Sequence, residues 1–313
     1  MGAFIPVHYN GEYSGAAPLT ILKTIGVLAH PRRPQTAPVA ETITDQLQAR
    51  GIETWVCTDW TEDDVRDLVA GSDMVVAIGG DGAMLRAARV CAFYGVPVLG
   101  VNMGNLGFLT EIDDPAKSEQ HFDKLLTDDY WIETRMMVKA QVWRGDNVIA
   151  EEDALNDVVI HRSTVTSIVR LEMYIDQDWA TTYNADALII ATATGSTAYA
   201  LASGGPILPP ELHNILVIPV APHLSMDRSI VLSQGAVVDV IVGDGSTIEV
   251  ALTVDGTIVK TLKSGDRIQV QASDHISRFV RMRSRNYFYR SLLDRLEPRI
   301  SLPEPRKWIN RNV

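Results

Sequence analysis

The tetrapeptide Gly79-Gly80-Asp81-Gly82 follows the apolar run Met74-Val75-Val76-Ala77-Ile78 and precedes a helix-like stretch, Ala83 to Ala92. A short apolar run bounded by glycines reads as a buried strand, so the segment predicts strand, glycine turn and helix start. That geometry aims backbone N–H groups and a helix N-terminus at one spot, which suits phosphate. An aspartate at such a spot repels the ligand. Either it caps the helix, or it holds a metal or takes a proton from a hydroxyl that attacks phosphorus. Arg86, one helical turn further on, can reach the same anion or lie on a solvated helix face.

The rest of the chain must supply the partner surfaces for this turn. With 313 residues, 46% hydrophobic and 21% charged, the composition is that of a soluble globular protein of about two domains. A net charge of −11 argues against nucleic-acid and membrane-surface partners. Bound phosphate must then be met locally, by backbone donors, a few arginines and a metal ion. Cys57 and Cys91 form neither a disulfide framework nor a metal-type cluster, which makes a reducing cytoplasm the expected location. Met1 to Thr20 lacks a basic segment followed by an apolar core, so no signal peptide is expected. Ala187 to Pro210 is free of charge, but its threonines, serines and glycines belong in a polar pocket rather than a membrane.

The first half alternates strand and helix. Thr24 to Ala29 reads as a strand, followed by the loop His30-Pro31-Arg32-Arg33-Pro34 and a helix with Val39, Ile43 and Leu47 on one face, ending at Gly51. Ile52 to Cys57 is a second strand. Thr61 and Asp64 form a capping box for a helix that Gly71 closes. The Met74 strand, a helix and the strand Val96 to Val101 complete a parallel sheet covered on both faces. Ligands of such sheets bind at the carboxyl ends of strands, where the His30 loop and Gly79 to Gly82 both lie.

From Ile132 to about Gln271 short β-branched runs are divided by turns at Arg144-Gly145-Asp146-Asn147, Gly243-Asp244-Gly245, Asp255-Gly256 and Gly265-Asp266. This texture predicts an antiparallel sandwich or layered sheet. Tyr287 to Leu296 returns to helical spacing, with Phe288, Leu292 and Leu296 on one face, and is expected to fold back onto the first domain. The resulting division is an α/β, Rossmann-like domain over 21–130, a β-rich domain over 131–277 and a returning segment over 278–313. Arg278, Arg281, Arg283 and Arg285 near that segment can guide phosphate, but a solvated strand face is the commoner explanation.

Three further groups bear on chemistry. Val101-Asn102-Met103-Gly104-Asn105-Leu106-Gly107-Phe108-Leu109 makes a tight loop at the ligand end of the sheet, and by itself reads as turn chemistry. Leu155-Asn156-Asp157 places an amide beside a carboxylate at the head of a strand, fit for adenine edges and ribose hydroxyls, or for an ordinary turn. Thr192-Ala193-Thr194-Gly195-Ser196-Thr197-Ala198-Tyr199, with Gly204-Gly205-Pro206, lets a flat ligand approach the backbone, or starts a buried glycine-rich helix.

Taken in series, these motifs resemble the NAD kinase family, over nearly the whole chain from about Thr24 to Leu296. Pro222-His223-x-Leu and Asp255-Gly256 with Gly265-Asp266 fit the same family. The resemblance implies that Asp81 is the catalytic carboxylate, accepting the proton of the adenosine ribose 2′-hydroxyl of NAD as that oxygen attacks the terminal phosphate of ATP or polyphosphate, giving NADP. It implies that Gly82 offers backbone to the ligand and Arg86 holds phosphate, that Asn156 and Asp157 contact the adenosine and its ribose, and that Asp186, Thr197, Ala198, Tyr199 and Ala200 line the same pocket. It further implies Mg²⁺ on the phosphates with no protein ligand set of its own, and a homodimer or homotetramer joined through the β-rich half.

Departures from the family pattern are Ala83 (usually Thr or Asn), Ala187 (usually Gly), Ala193 (usually Pro), and Asn184 and Thr257, where many relatives carry larger polar or cationic side chains. Two alternatives accompany this reading, a catalytically inactive NAD(P)-binding sensor and a lipid kinase of the diacylglycerol or sphingosine type. A dehydrogenase is disfavoured, because no Gly-x-Gly-x-x-Gly follows the first strand.

Overall fold

The computed structural model describes residues 22–104, 107–163, 168–243, 249–285, 287–289 and 292. Four parallel strands open the chain: β1 Thr24–Leu28, β2 Glu53–Cys57, β3 Met74–Gly79 and β4 Val98–Asn102. Between and after them run α1 Ala37–Gln48, α2 Glu62–Ala70, α3 Asp81–Tyr94 and α4 Ser118–Leu126. The strand order β2-β1-β3-β4 reverses direction between β1 and β3. Loops leaving these two neighbours diverge, which opens a crevice at their carboxyl ends.

Period-two alternation on β3 feeds both helical layers. Met74, Val76 and Ile78 pack with Ile43 and Leu47 of α1 and Phe122 of α4, whereas Val75 and Ala77 pack with Val65 of α2 and Met84 and Ala88 of α3. The expected capping box is present. The Thr61 hydroxyl accepts from Asp64 N–H, and the Asp64 carboxylate accepts from Thr61 N–H at 2.8 Å. Gly71 does end α2, but with φ of −92° rather than in the left-handed conformation.

The second half is built from β5 Trp131–Arg144, β6 Asn147–Ala154, β7 Asp157–Arg162, β8 Val169–Ile175, β9 Asp178–Ala185 and β10 Ala187–Thr192. After a short helix, α5 Tyr199–Ala202, come β11 Asn214–Val220, β12 Ile230–Ser233, β13 Val238–Val242, β14 Val250–Val254, β15 Thr257–Leu262 and β16 Arg267–Arg281. One six-stranded sheet has the order β12-β11-β10-β7-β14-β15. Its inner face, with Val158, Ile160, Leu188, Ile190 and Leu252, meets Val138, Leu171, Val240 and Ile268 of the other sheet in a single apolar layer. The uncharged stretch from Ala187 thus begins as the central strand β10, and no helix among the described residues is long and apolar enough to cross a membrane.

Strand β16 joins the two halves. It pairs antiparallel with β5 and β13, then meets β4 in parallel at Phe279 and Val98. The first-half sheet therefore continues into the second half, as a ten-stranded sheet. The returning segment follows at once. Tyr287, Phe288 and Leu292 are helical and buried, and Phe288 faces Phe108 with ring centroids 6.4 Å apart; Leu296 lies outside the described residues, as do Asp244 and Gly245 of one expected turn.

Arg281, Arg278 and Arg283 correct the expectation of a solvated strand face, whereas Arg285 is exposed. Arg281 is fully buried. Its Nε donates to Glu133 at 2.8 Å, its Nη1 donates to the Leu109 carbonyl at 2.9 Å, and Glu111 lies 3.5 Å away. Arg278 donates to the Gly95 carbonyl at 2.7 Å, Arg283 pairs with Asp113 at 2.8 Å, and Arg285 stacks over Trp131. Burial opposes the charge on Glu133, but Arg135 and Arg281 outweigh it and hold its carboxyl below the usual range. Replacing Arg281 by Met strands Glu133 and Glu111 in the interior. The expected loss is about 3–5 kcal/mol of stability, read from urea unfolding, with part of it recovered when Glu133→Gln is added.

Candidate active site

Three loops and one helix start converge at the crevice. Gly80 is the N-cap of α3 and Asp81 its first residue, with no side-chain cap bond. The capping reading of Asp81 therefore gives way to another. Its carboxylate reaches across to the loop after β4, accepting from Phe108 N–H at 2.8 Å and Leu109 N–H at 3.0 Å. The Asn102–Leu109 loop, read from sequence as plain turn chemistry, is what orients the acid. Gly107 makes room for this: a Cβ there would overlap the Asp81 carboxylate. Gly79 is equally constrained, since a Cβ would come within 2.6 Å of the Ala83 Cβ. Asn105 and Leu106 lie outside the described residues.

The opposite wall comes from the β-rich half. Asn156 precedes β7, and its carbonyl accepts from Thr192 N–H at 2.9 Å. Gly195 lies so close to Asn156 that any side chain would collide with its backbone. Arg135 of β5 donates to the Thr194 hydroxyl at 3.1 Å and to Glu133 and Tyr287, tying this turn to the buried charge network. A cleft of about 140 Å³ contains Asp81, Phe108, Arg135, Asn156, Thr194 and Phe288. It shares Asn156 and Ala198 with a larger cavity of about 720 Å³ bounded by Asp157, His161, Asp186, Tyr199 and Asp255.

Most of the sequence candidates therefore meet here, though not all. Asn156, Asp157, Asp186, Ala198 and Tyr199 line the large cavity, and Asp81, Thr197 and Asn156 line the small one. Asp186 pairs with Arg162 at 2.7 Å. Gly82 is exposed on the first turn of α3, with open space where a Cβ would stand. Arg86 lies 5.5 Å from the Trp60 ring and lines neither cavity. The Ala200 side chain is buried among Ala187, Ile189 and Leu216, below the cavity rather than in it.

Asp255 was legible only as part of a hairpin turn. With φ of 46° at Asp255 and 77° at Gly256, that turn joins β14 to β15. Both residues have the left-handed conformation of two-residue hairpins. The Asp255 carboxylate accepts from the N–H groups of Leu155, Asn156 and Asp157 at 2.9, 2.8 and 3.2 Å. Burial, with the Asp255 charge added, pushes the Asp157 carboxyl up to about 7. Arg135 and Phe288 gave no signal either: each reads in sequence as one position of a strand or helix face, and only chain reversal brings them to Asp81.

Two outcomes follow from this geometry. Asp157 keeps a proton in the native state that the unfolded chain, with an ordinary value near 3.8, releases. Its contribution to stability is therefore present below about pH 4 and lost as pH rises to 7. Asp157→Asn should flatten the decline in unfolding free energy across that window, measured by urea titration at several pH values. Gly107→Ala should displace the Asp81 carboxylate and lower kcat, with a melting temperature within a few degrees of the parent.

The chain is similar to known proteins in sequence and in fold. The family described as the ATP-NAD kinase N-terminal domain matches residues 35–130, and the ATP-NAD kinase C-terminal domain matches 155–282. The NAD kinase of Chloroflexus aggregans is 40% identical over 276 residues, covering 88% of this chain and 99% of the relative. That of Dehalococcoides mccartyi is 34% identical, covering 88% and 96%. The crystal structure of yeast NADH kinase complexed with NADH superposes with a TM-score of 0.79 at 23% identity, over 92% of this chain and 91% of that one. The Archaeoglobus fulgidus NAD kinase in complex with ATP gives 0.68 at 22% identity, over 86% and 97%, so both share the fold. With both family domains matched in order around the crevice that holds Asp81, the chain belongs to the NAD kinase family.

Proposed function

We propose that Asp81 is the base of an NAD kinase reaction and that the two connected cavities hold the dinucleotide. The observation that carries this is the placement of the Asp81 carboxylate. Each of its oxygens accepts one backbone N–H, and a second lone pair on each remains to take the hydroxyl proton. The adenosine ribose of NAD lies in the cleft shared by Asp81 and Asn156, with its 2′-oxygen at the carboxylate. That oxygen attacks the terminal phosphorus of ATP, its proton passes to Asp81, and ADP leaves.

Asn156 and Asp157 orient the adenosine and its ribose, and Asp255 fixes both through their backbone N–H groups. Asp186, Thr197, Ala198 and Tyr199 complete the pocket. Gly82 contributes backbone at the start of α3, Ala200 supports the turn from below, and Arg86 holds phosphate. Among the described residues no three His, Cys, Asp or Glu side chains converge on a point. The single carboxylate at the cleft fits Mg²⁺ carried mainly by substrate phosphates and water, the usual habit of this ion. When bound, Mg²⁺ neutralises phosphate charge that Asp81 alone would repel.

We also assign the domains as 21–130, 131–277 and 278–313, a homodimer or homotetramer, and a cytoplasmic location. The exposed Trp179 and Ile258 on the β-rich half and the two free cysteines support the last two. The test is NADP formation from NAD, ATP and Mg²⁺, read through an NADP-specific dehydrogenase. Asp81→Asn should lower kcat by about 10²–10⁴-fold with the fold intact by circular dichroism. A variant within tenfold of the parent would remove Asp81 from the role of base.

A further inference from the structure

Arg135 shares the cleft of about 140 Å³ with Asp81 and is only 2% exposed. On β5 it stands two residues from Glu133, so both side chains leave the same face of the strand, while Thr134 between them is exposed. The guanidinium is thus laid down beside its own counter-ion. Nη2 donates to Glu133 at 2.8 Å and to the Tyr287 hydroxyl at 2.9 Å, and the guanidinium carbon lies 5.9 Å from the centre of the Phe279 ring. The other terminal nitrogen is directed elsewhere. Nη1 donates at 3.1 Å to the hydroxyl of Thr194, in the turn after β10.

That turn, Thr192 to Ala198, is made of small residues with little side chain to lock it by packing. Its start is stapled to the segment before β7: Thr192 N–H donates to the Asn156 carbonyl at 2.9 Å, and the Thr192 hydroxyl donates to the Leu155 carbonyl at 2.5 Å. Gly195 N–H donates back to the Thr192 hydroxyl at 3.1 Å, and the Thr197 hydroxyl donates to the Thr194 carbonyl at 3.2 Å. Gly195 itself presses on the Asn156 backbone. Thr194 lies between these contacts. Its position therefore sets how closely the turn approaches Asn156 and where Thr197 and Ala198 stand in the cleft.

An arginine can hold such a point because its five donors lie in one rigid plane. With Nη2 fixed by Glu133 and Tyr287, the place of Nη1 follows. The two ends of the fork meet different needs. Glu133 requires a buried positive charge beside it, which a lysine also brings. The Thr194 hydroxyl requires a second donor at a set distance from the first, which the single nitrogen of a lysine does not provide.

We propose that Arg135 is a positioning residue for dinucleotide binding: through Thr194 it sets the turn that backs Asn156 and carries Thr197 and Ala198. This rests on the reading of the two connected cavities as the dinucleotide site. The test is a double-mutant cycle of Arg135→Lys and Thr194→Val, read by calorimetric titration of NAD without ATP and by steady-state KM values. Arg144→Lys, at the far end of β5 and paired with Asp266, is the control. Arg135→Lys keeps the charge beside Glu133 and should melt within a few degrees of the parent. Its Kd and KM for NAD should rise by about tenfold, as expected for the loss of one hydrogen bond from a charged group, with the KM for ATP within twofold.

Thr194→Val leaves every buried charge in place and should give a similar loss. The double variant should lose no more than either single one, because both remove the same bond. A multiplied loss in the double variant would overturn the assignment, since Arg135 would then act independently of Thr194. So would unchanged NAD affinity in either single variant, or a fall in melting temperature of Arg135→Lys with NAD affinity intact. Calorimetry needs no turnover. A parent that binds NAD with this pattern yet forms no NADP would remove Asp81 as base and leave Arg135 in its role, whereas NADP formation unaffected by Arg135→Lys would strike the Arg135 role alone.

Discussion

The guanidinium of Arg281, shut away from water between Glu133 and Glu111, holds the two halves of the chain in register. Glu133 lies on β5, Glu111 on the loop after β4, and Arg281 at the end of β16 where that strand meets β4. A buried cation is tolerable only where opposite charge and hydrogen bonds surround it. Arg281 has both, and its guanidinium is flanked by the rings of Phe279 and Tyr287 at 5.2 and 5.1 Å. Tyr287 donates to Glu133 at 3.0 Å, so the returning segment docks on the same charges. The network also reaches the cleft that holds Asp81. Arg135 holds Glu133 with one nitrogen and Thr194 with another, and Leu109, whose N–H orients Asp81, gives its carbonyl to Arg281.

The site is thus assembled from loops at strand ends, while strands and buried charges set their positions. Carboxylates do much of this orienting. Asp81 is held by two N–H groups from a foreign loop, and Asp255 holds three N–H groups of the segment bearing Asn156 and Asp157. A carboxylate can gather several donors because it offers about four lone pairs, and each such bond is stronger for the charge. At the site, Asp81 and Asp255 are both turned onto backbone N–H groups.

Local chemistry was readable where neighbours in sequence determine the outcome. The β3 run, the glycine turn, the Thr61–Asp64 box and the Asp255-Gly256 hairpin all depend on residues within a few positions of one another. The alternation of strand and helix implied the parallel sheet, because few other arrangements bury so many apolar runs. Asn156, Asp157, Asp186 and the Thr192–Tyr199 turn were recognisable by their order along the chain.

What no local pattern contained was the partner of each charge. Arg281 and Arg278 look alike in sequence, yet one is sealed between carboxylates and the other donates to a helix-end carbonyl. Asp81 looked equally fit to cap its helix, and a loop more than twenty residues away turned it toward the cleft. Asp255 lies about a hundred residues from the backbone it clamps, and Phe288 reaches Asp81 only because β16 crosses back to β4. The sequence by itself determined the main elements and the glycine turn, and it marked Asp81 as a candidate. The tertiary structure alone decided which charges are neutralised and which are not, because burial and pairing depend on distance in space rather than along the chain.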